Sequence, residues 1–540
     1  EERAHELIFK RYQEALLNEN MLDFDDLLLY LLELLQKIED VRTYYQTIFE
    51  HILVDEFQDT DHIQYQILSI LAEKHRQVCV VGDPDQSIYA FRGANYLNHQ
   101  KFLSEFQAKQ VTLEQNYRST NGILNAANLL IAHNQNRLSK QLKSNLGQGV
   151  SPKYIQADRD YQETYDIVNE IELLINQGYR YQDIAILYRN NALSRLFEDT
   201  MMKRNIPYRI YGGLSFYSRK EVKDIIAYLR AALDMKQSFY MKRIINTPKR
   251  ALGDTTVSRL EVYALEHQVG LLDAAEKVDL SKSAKKQLEI FKQLLLDIKE
   301  SINQMQDLDE VIPYIIEHSG YLAMLKQEDT EESQNRIDNL QELHNVFVSS
   351  KQFYEGTMVE KLQQLLDQIS LYTDLDQDDR EDRVVLSTYH QVKGLEFGAV
   401  FMVAMEESIF PGHRAFESQF ELDEERRIAY VGMTRAKERL FLSYASQRMT
   451  YGRMQYNEPS RFIQESLPKK QGLESLKQER KPVFQKSEFG LLKTGDVVLH
   501  KEFGEGKVVN VIDEIATIAF SYQYGIKKIL ESHPSLKKIK

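Results

Sequence analysis

The stretch HILVDEFQDT occupies residues 51–60 of the chain. Its apolar beginning predicts a short buried strand, and Asp55 and Glu56 follow at the carboxyl end of that strand. Nucleotide hydrolases use such a pair of carboxylates to hold Mg²⁺, commonly through water, and to polarise the attacking water. The residues by themselves fit equally well a strand end followed by an acidic helix cap.

Similar apolar runs place this stretch in an α/β protein. They are short, rich in Val, Ile and Leu, and end in polar, Gly or Pro residues, as buried parallel strands do. The runs cover residues 51–55, 78–82, 111–114, 184–188, 384–388, 400–404 and 440–444. Between residues 214 and 379 the pattern is helical and poor in strand signals. We therefore expect an all-helical domain inserted into a discontinuous α/β domain.

The carboxyl-terminal part has a different composition. Residues 466–486 are polar and rich in Lys, Gln and Glu, which predicts a flexible linker. Residues 487–540 then show short strand signals separated by glycine turns, which predicts a small β-barrel module.

Composition limits the class of protein but not its substrate. A chain of 540 residues is too long to fold around one hydrophobic core, so several domains are expected. The single cysteine, Cys79, excludes an internal disulfide and fits a cytoplasmic protein. We find no apolar stretch long enough to span a bilayer and expect no membrane partner. The net charge of -13 argues against a surface coated in basic patches, yet a cleft can still bind nucleic acid.

A second motif, VVGDPDQSIYAFRGA, covers residues 80–94. It predicts another strand that ends in a loop presenting Gln86, two aromatic rings and a cation. Gln86 can sense a terminal phosphate, and Tyr89 and Phe91 offer faces on which bases stack. The alternative is that both rings belong to the core, and their position together on one strand-end loop disfavours it.

Three further motifs expose conspicuous charges beside predicted strands. They read QNYRS at residues 115–119, STYHQVKGLEF at 387–397 and YVGMTRAK at 430–437. Phosphoryl transfer needs cations directed at the γ-phosphate, and Arg118 and Arg435 are candidates for arginine fingers. Each arginine alone fits a surface residue, whereas the ordered set favours the phosphate-binding interpretation.

The order of these motifs resembles the UvrD/PcrA/Rep branch of superfamily 1 helicases. The same pattern includes DFDDL at residues 23–27, YRNNALSR at 188–195, YGG at 211–213 and NTPKR at 246–250. The resemblance implies a set of roles for single residues. Those toward ATP and Mg²⁺ are Asp55 (Mg²⁺, through water), Glu56 (water activation), Gln86 and Arg92 (γ-phosphate), Tyr117 (adenine), Arg118 and Arg435 (fingers), Glu396 (ribose) and Lys393 (nucleotide). Those toward single-stranded DNA are Tyr89, Phe91, His390 and Tyr451.

The resemblance also implies an architecture and an activity. The fold class is α/β, with two RecA-like motor domains (the first one incomplete), an inserted all-helical domain and a Tudor/SH3-like β-barrel. The implied domains are 1–20 (end of a helical 1B domain), 21–115 (first motor domain), 116–213 with 380–465 (second motor domain), 214–379 (helical 2B insertion), 466–486 (linker) and 487–540 (Tudor-like module). The activity is ATP-driven 3'-to-5' movement in DNA repair or replication. The partners are single-stranded DNA, single-strand/duplex junctions and, through the last module, RNA polymerase.

The sequence departs from the family pattern in three places. It contains no Walker A loop, Gly-x-x-x-x-Gly-Lys-Ser/Thr, so we expect the sequence to begin inside the protein. We also expect the chain alone to hydrolyse ATP poorly. Phe91 stands where relatives often have Trp, and Ala251 stands where they often have Gly. The alternative function is a non-catalytic protein that binds DNA and RNA polymerase. A helicase–nuclease fusion is disfavoured because only a small β module follows the motor.

Overall fold

The computed structural model describes residues 2–95, 97–135, 137–138, 140–351, 353–375, 381–450, 452–468, 492, 495–500, 504–512, 515–520, 526–530 and 536–538. Tertiary contacts divide the chain into two compact units, Glu1–Lys470 and Gln471–Lys540. None of the helices in the described ranges is both long and apolar enough to cross a membrane.

The first unit begins with a two-stranded parallel sheet and the helices around it. Strand β1 (Ile52–Val54) pairs with β2 (Val78–Val80), and Leu53 lies opposite Cys79 with its side chain exposed. The helices are α1 (Glu2–Asn18), α2 (Phe24–Lys37), α3 (Glu39–Ile48), α4 (His62–Ala72) and α5 (Asn98–Phe106). Helix α2 begins at a capping box in which Asp26 N–H donates to Asp23 Oδ1 and Asp23 N–H donates to Asp26 Oδ2. Residues 24–106 are called the small-sheet region below.

A short connecting segment follows, and the prediction of a strand at its start is wrong. Residues 111–114 form no strand, and Val111 and Leu113 are exposed. The pairing begins one residue later, where β3 (Gln115–Asn116) lies parallel to β4 (Lys143–Ser144), with α6 (Asn121–Ile131) between them. An apolar run of this length becomes a strand only where a neighbouring backbone can pair with it.

The main sheet of the first unit has seven strands. They are β5 (Lys153–Arg159), β6 (Ile184–Tyr188), β7 (Tyr208–Ile210), β8 (Val384–Thr388), β9 (Phe397–Met402), β10 (Ala436–Thr450) and β11 (Arg453–Tyr456). The order is β11-β10-β9-β6-β8-β7, and β5 also pairs with β10. All pairs are parallel except β10 with β11. The structure thus confirms the α/β class with a parallel sheet, in an arrangement consistent with RecA-like motor domains.

Helices pack around this sheet and help to position the site. They are α7 (Asp160–Asn176), α8 (Ser194–Lys203), α18 (Gln419–Met433) and α19 (Arg461–Glu465). Every residue of β6 and β8 is buried, as expected for continuous apolar strands inside a parallel sheet. Residues 115–210 and 384–465 are called the large-sheet region below.

Nine α-helices lie between β7 and β8 in the described residues, so the main sheet is discontinuous in sequence. They are α9 (Lys220–Leu233), α10 (Ser238–Ile244), α11 (Asp254–His267), α12 (Leu271–Ala274), α13 (Lys282–Gln304), α14 (Val311–His318), α15 (Tyr321–Glu328), α16 (Glu331–Ser350) and α17 (Met358–Leu375). They enclose their own apolar core, which includes Phe291, Leu295 and Phe347. The helical character predicted for this stretch is confirmed.

The second unit is a five-stranded antiparallel sheet. Its strands are β12 (Val497–His500), β13 (Gly504–Ile512), β14 (Ile515–Ala519), β15 (Ile526–Leu530) and β16 (Leu536–Lys538), in the order β15-β14-β13-β12-β16. Val498, Val508 and Ile518 are buried in its core. The described strands show no pairing between β15 and β16, so closure into a Tudor-like barrel stays a prediction. Most of the predicted linker, residues 469–486, lies outside the described residues.

Candidate active site

The two predicted carboxylates stand directly beyond β1, at the carboxyl end of the small sheet. Glu56 has a φ of 50°, in the left-handed region that residues with side chains rarely adopt and that concentrates at functional sites. Its backbone N–H donates to Asp55 Oδ1 at 2.8 Å, and Gln58 Nε2 donates to Glu56 Oε2 at 2.5 Å. This sharp turn exposes both adjacent carboxylates at one strand end, and Gln58 helps to orient the second.

A lysine from the large-sheet region reaches these carboxylates. Lys393 Nζ lies 3.4 Å from Glu56 Oε2, forms an ion pair with Asp59 and donates to the backbone oxygen of Gln86 at 3.1 Å. Burial raises the pKa of Asp59, and the hydrogen bond from Lys393 opposes that rise. Lys393 was predicted to contact the nucleotide, and the structure places it beside the carboxylates of Glu56 and Asp59.

The predicted phosphate sensor and one predicted arginine finger are also brought together. Gln86 ends a short 3-10 turn that follows β2, and Arg435 lies two residues beyond α18. Arg435 Nη2 donates to Gln86 Oε1 at 3.2 Å, and its other nitrogens donate to the backbone oxygens of Val431 and Leu395. Burial lowers the pKa of Arg435 to about 10, with the charge of Arg118 adding to the effect. The guanidinium therefore keeps its charge at neutral pH.

The second predicted finger lines an open pocket of about 730 Å³. Arg118 Nε donates to Glu396 Oε2 at 2.8 Å, and Lys437 Nζ lies 2.7 Å from Glu396 Oε1. The hydrogen bonds from Lys437 and Arg118 hold the pKa of Glu396 below its ordinary value. Tyr117 is 73% exposed, so its ring can stack on a planar group. The pocket is lined by Gln115, Asn116, Tyr117, Arg118, Thr120, Leu146, Glu396, Lys437 and Glu438.

An aromatic cluster adjoins the carboxylates. The ring centroids of Tyr89 and Phe91 are 6.0 Å apart, that of His390 lies 5.6 Å from Phe91, and Tyr89 Oη donates to the His390 backbone oxygen. Phe91 is 53% exposed, which is unusual for a core ring. Burial, with the charges of Arg189 and Arg92, lowers the pKa of His390 to about 3, so its imidazole is neutral at physiological pH. This cluster presents apolar faces beside a positive rim.

Arg92 and Tyr451 are not among the predicted residues that the structure places at the carboxylates or the pocket. Arg92, predicted to read the γ-phosphate, has its guanidinium 5.4 Å from the ring centroids of both Tyr89 and Phe91. The structure therefore groups Arg92 with the aromatic cluster. Tyr451, predicted to contact single-stranded DNA, lies outside the described residues.

Sequence reasoning missed several residues of the site. Gln58, Asp59 and Lys437 lie inside motifs that were recognised, but nothing in the residue pattern distinguished them from their neighbours. Arg137 and Lys140 bind the turn that carries Gln86 and lie in none of the recognised motifs. Only their position in the fold reveals them.

Comparison with known proteins shows the family of the chain. Residues 111–447 match the family described as UvrD-like helicase C-terminal domain, and residues 1–107 match the UvrD/REP helicase N-terminal domain. The chain is 39% identical over 560 residues to the ATP-dependent DNA helicase PcrA of Staphylococcus epidermidis, covering 98% of this chain and 76% of that protein. It is 39% identical over 562 residues to the same-named protein of Staphylococcus aureus, with the same shares covered. The chain belongs to the UvrD/PcrA family of helicases.

Proposed function

We propose that the chain supplies the hydrolytic and strand-binding parts of an ATP-dependent DNA helicase that moves in the 3'-to-5' direction in DNA repair or replication. The observation that carries this proposal is the meeting of the two regions around one site. Lys393 and Arg435 of the large-sheet region contact Glu56 and Gln86 of the small-sheet region. A nucleotide bound there would alter the contacts between the regions, which is what a motor requires.

The site has the charges that phosphoryl transfer needs. Arg118 and Arg435 are the cations that would stabilise the charge developing on the γ-phosphate, and Glu56 would orient the attacking water. Lys393 Nζ, 3.4 Å from Glu56 Oε2, would help to hold that carboxylate in place for this role. Tyr117 would stack on the adenine, and Glu396 would accept hydrogen bonds from the ribose.

Asp55 is suited to hold Mg²⁺. One of its oxygens accepts the Glu56 N–H, and the other, Oδ2, accepts no hydrogen bond from the described residues. No group of three or more His, Cys, Asp or Glu side chains in the described part of the chain could hold a metal by itself. Mg²⁺ held by Asp55 through water would supply positive charge that offsets the negative charge of the phosphates.

The aromatic cluster would grip the single strand. Bases would stack on Tyr89 and Phe91 beside the neutral His390, while Arg92 would supply a cation at the rim of the stack. Tyr89 Oη donates to the backbone of His390, so each region provides one wall of this path. A change in the spacing of the two regions would then shift the strand relative to one wall.

The proposal extends to domains and partners. Residues 21–115 and 116–213 with 380–465 would form two RecA-like motor domains, residues 1–20 would end a helical 1B domain, and residues 214–379 would contact single-strand/duplex junctions. Residues 487–540 would form a Tudor-like module, joined by a linker at 466–486, that binds RNA polymerase. A cytoplasmic location fits the single cysteine.

The second candidate is a protein that binds DNA and RNA polymerase without catalysis. It differs from the first candidate in needing no Walker A loop, a motif that the 540 residues do not contain. Without the amides and lysine of that loop, the phosphates have no cradle. We therefore propose that hydrolysis requires such a loop in addition to the residues described here.

The test is ATP hydrolysis with and without single-stranded DNA. The 540-residue chain is compared with a version extended before residue 1 by a Walker A segment from a PcrA relative, and the control carries Ala in place of the loop lysine. DNA-stimulated hydrolysis by the extended version alone is expected. No hydrolysis by any version, with DNA binding retained, would select the non-catalytic protein.

A further inference from the structure

One segment carries both the predicted phosphate sensor and the predicted stacking rings. It comprises Asp83–Phe91, with Gln86 near one end and Tyr89 and Phe91 at the other. Two basic residues of the large-sheet region hold the sensor end. Arg137 Nε and Nη2 donate to the two oxygens of Asp85 at 3.1 and 2.7 Å, a bidentate pair with little freedom.

The second basic residue extends this contact to the sensor. Lys140 forms an ion pair with Asp83 and lies 3.4 Å from Asp85 Oδ2. Asp83 Oδ2 in turn accepts a hydrogen bond from Gln86 Nε2 at 2.8 Å, and Gln86 Oε1 accepts one from Arg435. An unbroken chain of polar contacts therefore leads from Lys140 through Asp83 and Gln86 to the arginine finger.

The charges of this cluster balance. Asp83 and Asp85 supply two carboxylates beside a site meant for a triphosphate, where uncompensated negative charge would repel the ligand. Arg137 and Lys140 supply two cations, and their side chains are only 15% and 11% exposed. Cations so deeply paired are poorly placed to bind the phosphates of DNA directly. Their role must act through the segment that they hold.

The rest of the segment is fixed as well, so its two ends move together. Ile88 is fully buried, Arg427 Nε donates to the Ser87 backbone oxygen at 2.8 Å, and Ala90 N–H donates to Glu424 Oε1 at 3.1 Å. Both Arg427 and Glu424 lie on α18 of the large-sheet region. The segment follows β2 of the small-sheet region. It is nevertheless attached along its length to the large-sheet region.

We propose that Arg137 and Lys140 form a basic clamp whose function is positioning. The clamp seats the segment Asp83–Phe91 on the large-sheet region, orients Gln86 toward Arg435, and sets where Tyr89 and Phe91 meet a single strand. The last part rests on the proposed function, whereas the seating of the segment does not. Neither clamp residue touches the nucleic acid.

The seating is tested without any ligand. The chain contains no Trp, so Phe91→Trp introduces one indole as a reporter on the segment. In that background we expect Arg137→Gln with Lys140→Gln to increase quenching of the indole by acrylamide, because the segment loses its ion pairs at Asp83 and Asp85 and is held less firmly. Lys140→Arg keeps the charge and should leave quenching at the level of Phe91→Trp alone. Arg180→Gln, which breaks an exposed ion pair with Asp183, is the matched control.

The effect on the strand is tested with labelled oligo(dT) and the Phe91 side chain intact. We expect the double variant to bind roughly tenfold more weakly, because stacking of a base is lost or misplaced. The slope of log affinity against log salt should stay unchanged. A direct phosphate contact would instead lower that slope by about 0.7 for each cation removed.

A double-mutant cycle identifies the partner through which the clamp acts. Asp85→Asn and Arg137→Gln should each weaken binding, and their combination should be no worse than Arg137→Gln alone. Circular dichroism checks that each variant is folded, and if the double variant is not, Lys140→Gln and Asp85→Asn are compared singly in both assays.

The outcomes are distinct. Unchanged acrylamide quenching overturns the clamp, as does a loss of affinity that comes with a lower salt slope. Increased quenching with unchanged affinity shows that the clamp does not set the strand position and overturns the positioning role. If the unsubstituted chain does not bind oligo(dT), the proposed function fails, while the quenching result still decides the clamp.

Discussion

Glu56 shows how the end of a strand can present a carboxylate at a local conformational cost. Its left-handed φ forms the turn after β1, and Gln58 and Lys393 both contact its Oε2. In the version with a Walker A loop, Glu56→Gln should abolish hydrolysis and spare ATP binding, because the amide cannot activate water. Hydrolysis and nucleotide binding are measured beside Glu50→Gln, an exposed control. Retained turnover would remove Glu56 from the catalytic role.

Phe91 gives a second test at the scale of one residue. Its ring is half exposed and lies against His390 in a T-shaped contact. Phe91→Ala should weaken single-strand binding by about 1–3 kcal/mol if the ring stacks on a base. Fluorescence anisotropy with oligo(dT) measures the effect, and the exposed Phe353→Ala is the control. An affinity equal to that of the control would show that no base stacks on Phe91.

In the turn that joins α10 to α11, one residue has a backbone conformation that is unfavourable for its side chain. Ala251 has a φ of 54°, a backbone conformation in which glycine carries no steric penalty. Ala251→Gly should therefore stabilise the helical segment by about 0.5–1 kcal/mol, despite the greater freedom of the unfolded chain. Thermal unfolding is measured beside Ala275→Gly, where φ is -60° and a loss is expected. A lower midpoint for Ala251→Gly would mean that the turn is unstrained.

A buried ionic network joins three elements of the large-sheet region. Arg448 on β10 pairs with Glu163 on α7 and with Glu406, which follows β9, and both carboxylates are fully buried. Arg448→Met should destabilise this region by about 3–5 kcal/mol, because two buried charges lose their partner. Urea unfolding is compared with that of the exposed Arg453→Met on β11. Equal losses for the two variants would show that the network contributes nothing specific.

At the scale of the whole molecule, the five-stranded sheet is a unit with its own core. Tertiary contacts group these residues into a unit of their own. Deletion of the residues after Lys486 should therefore leave DNA unwinding by the extended version intact and remove binding to RNA polymerase. Unwinding of a tailed duplex and polymerase pull-down provide the two readouts. Lost unwinding in a folded deletion variant would assign the module to the motor.

Much of the architecture was predictable because it depends on local patterns. Strands 184–188 and 384–388 lie where continuous apolar runs predicted them, since strands buried on both faces need apolar side chains throughout. The helical segment was equally clear from its period. The run at 111–114 failed because an apolar composition cannot show whether a partner strand lies alongside. The run was misassigned because strand formation there depends on the surrounding fold and not on the residues of the run.

The sequence by itself determined the family, the α/β class and the strand-end motifs, because each depends on residues that are close along the chain. Only the tertiary structure decided which charges meet. Lys393 reaches Glu56 and Asp59, Arg435 reaches Gln86, and Arg137 reaches Asp85, across separations of tens to hundreds of residues. The physical reason is that an ion pair depends on the distance and the direction of two side chains in space. Those quantities follow from the packing of the two regions, and no spacing within a motif encodes them.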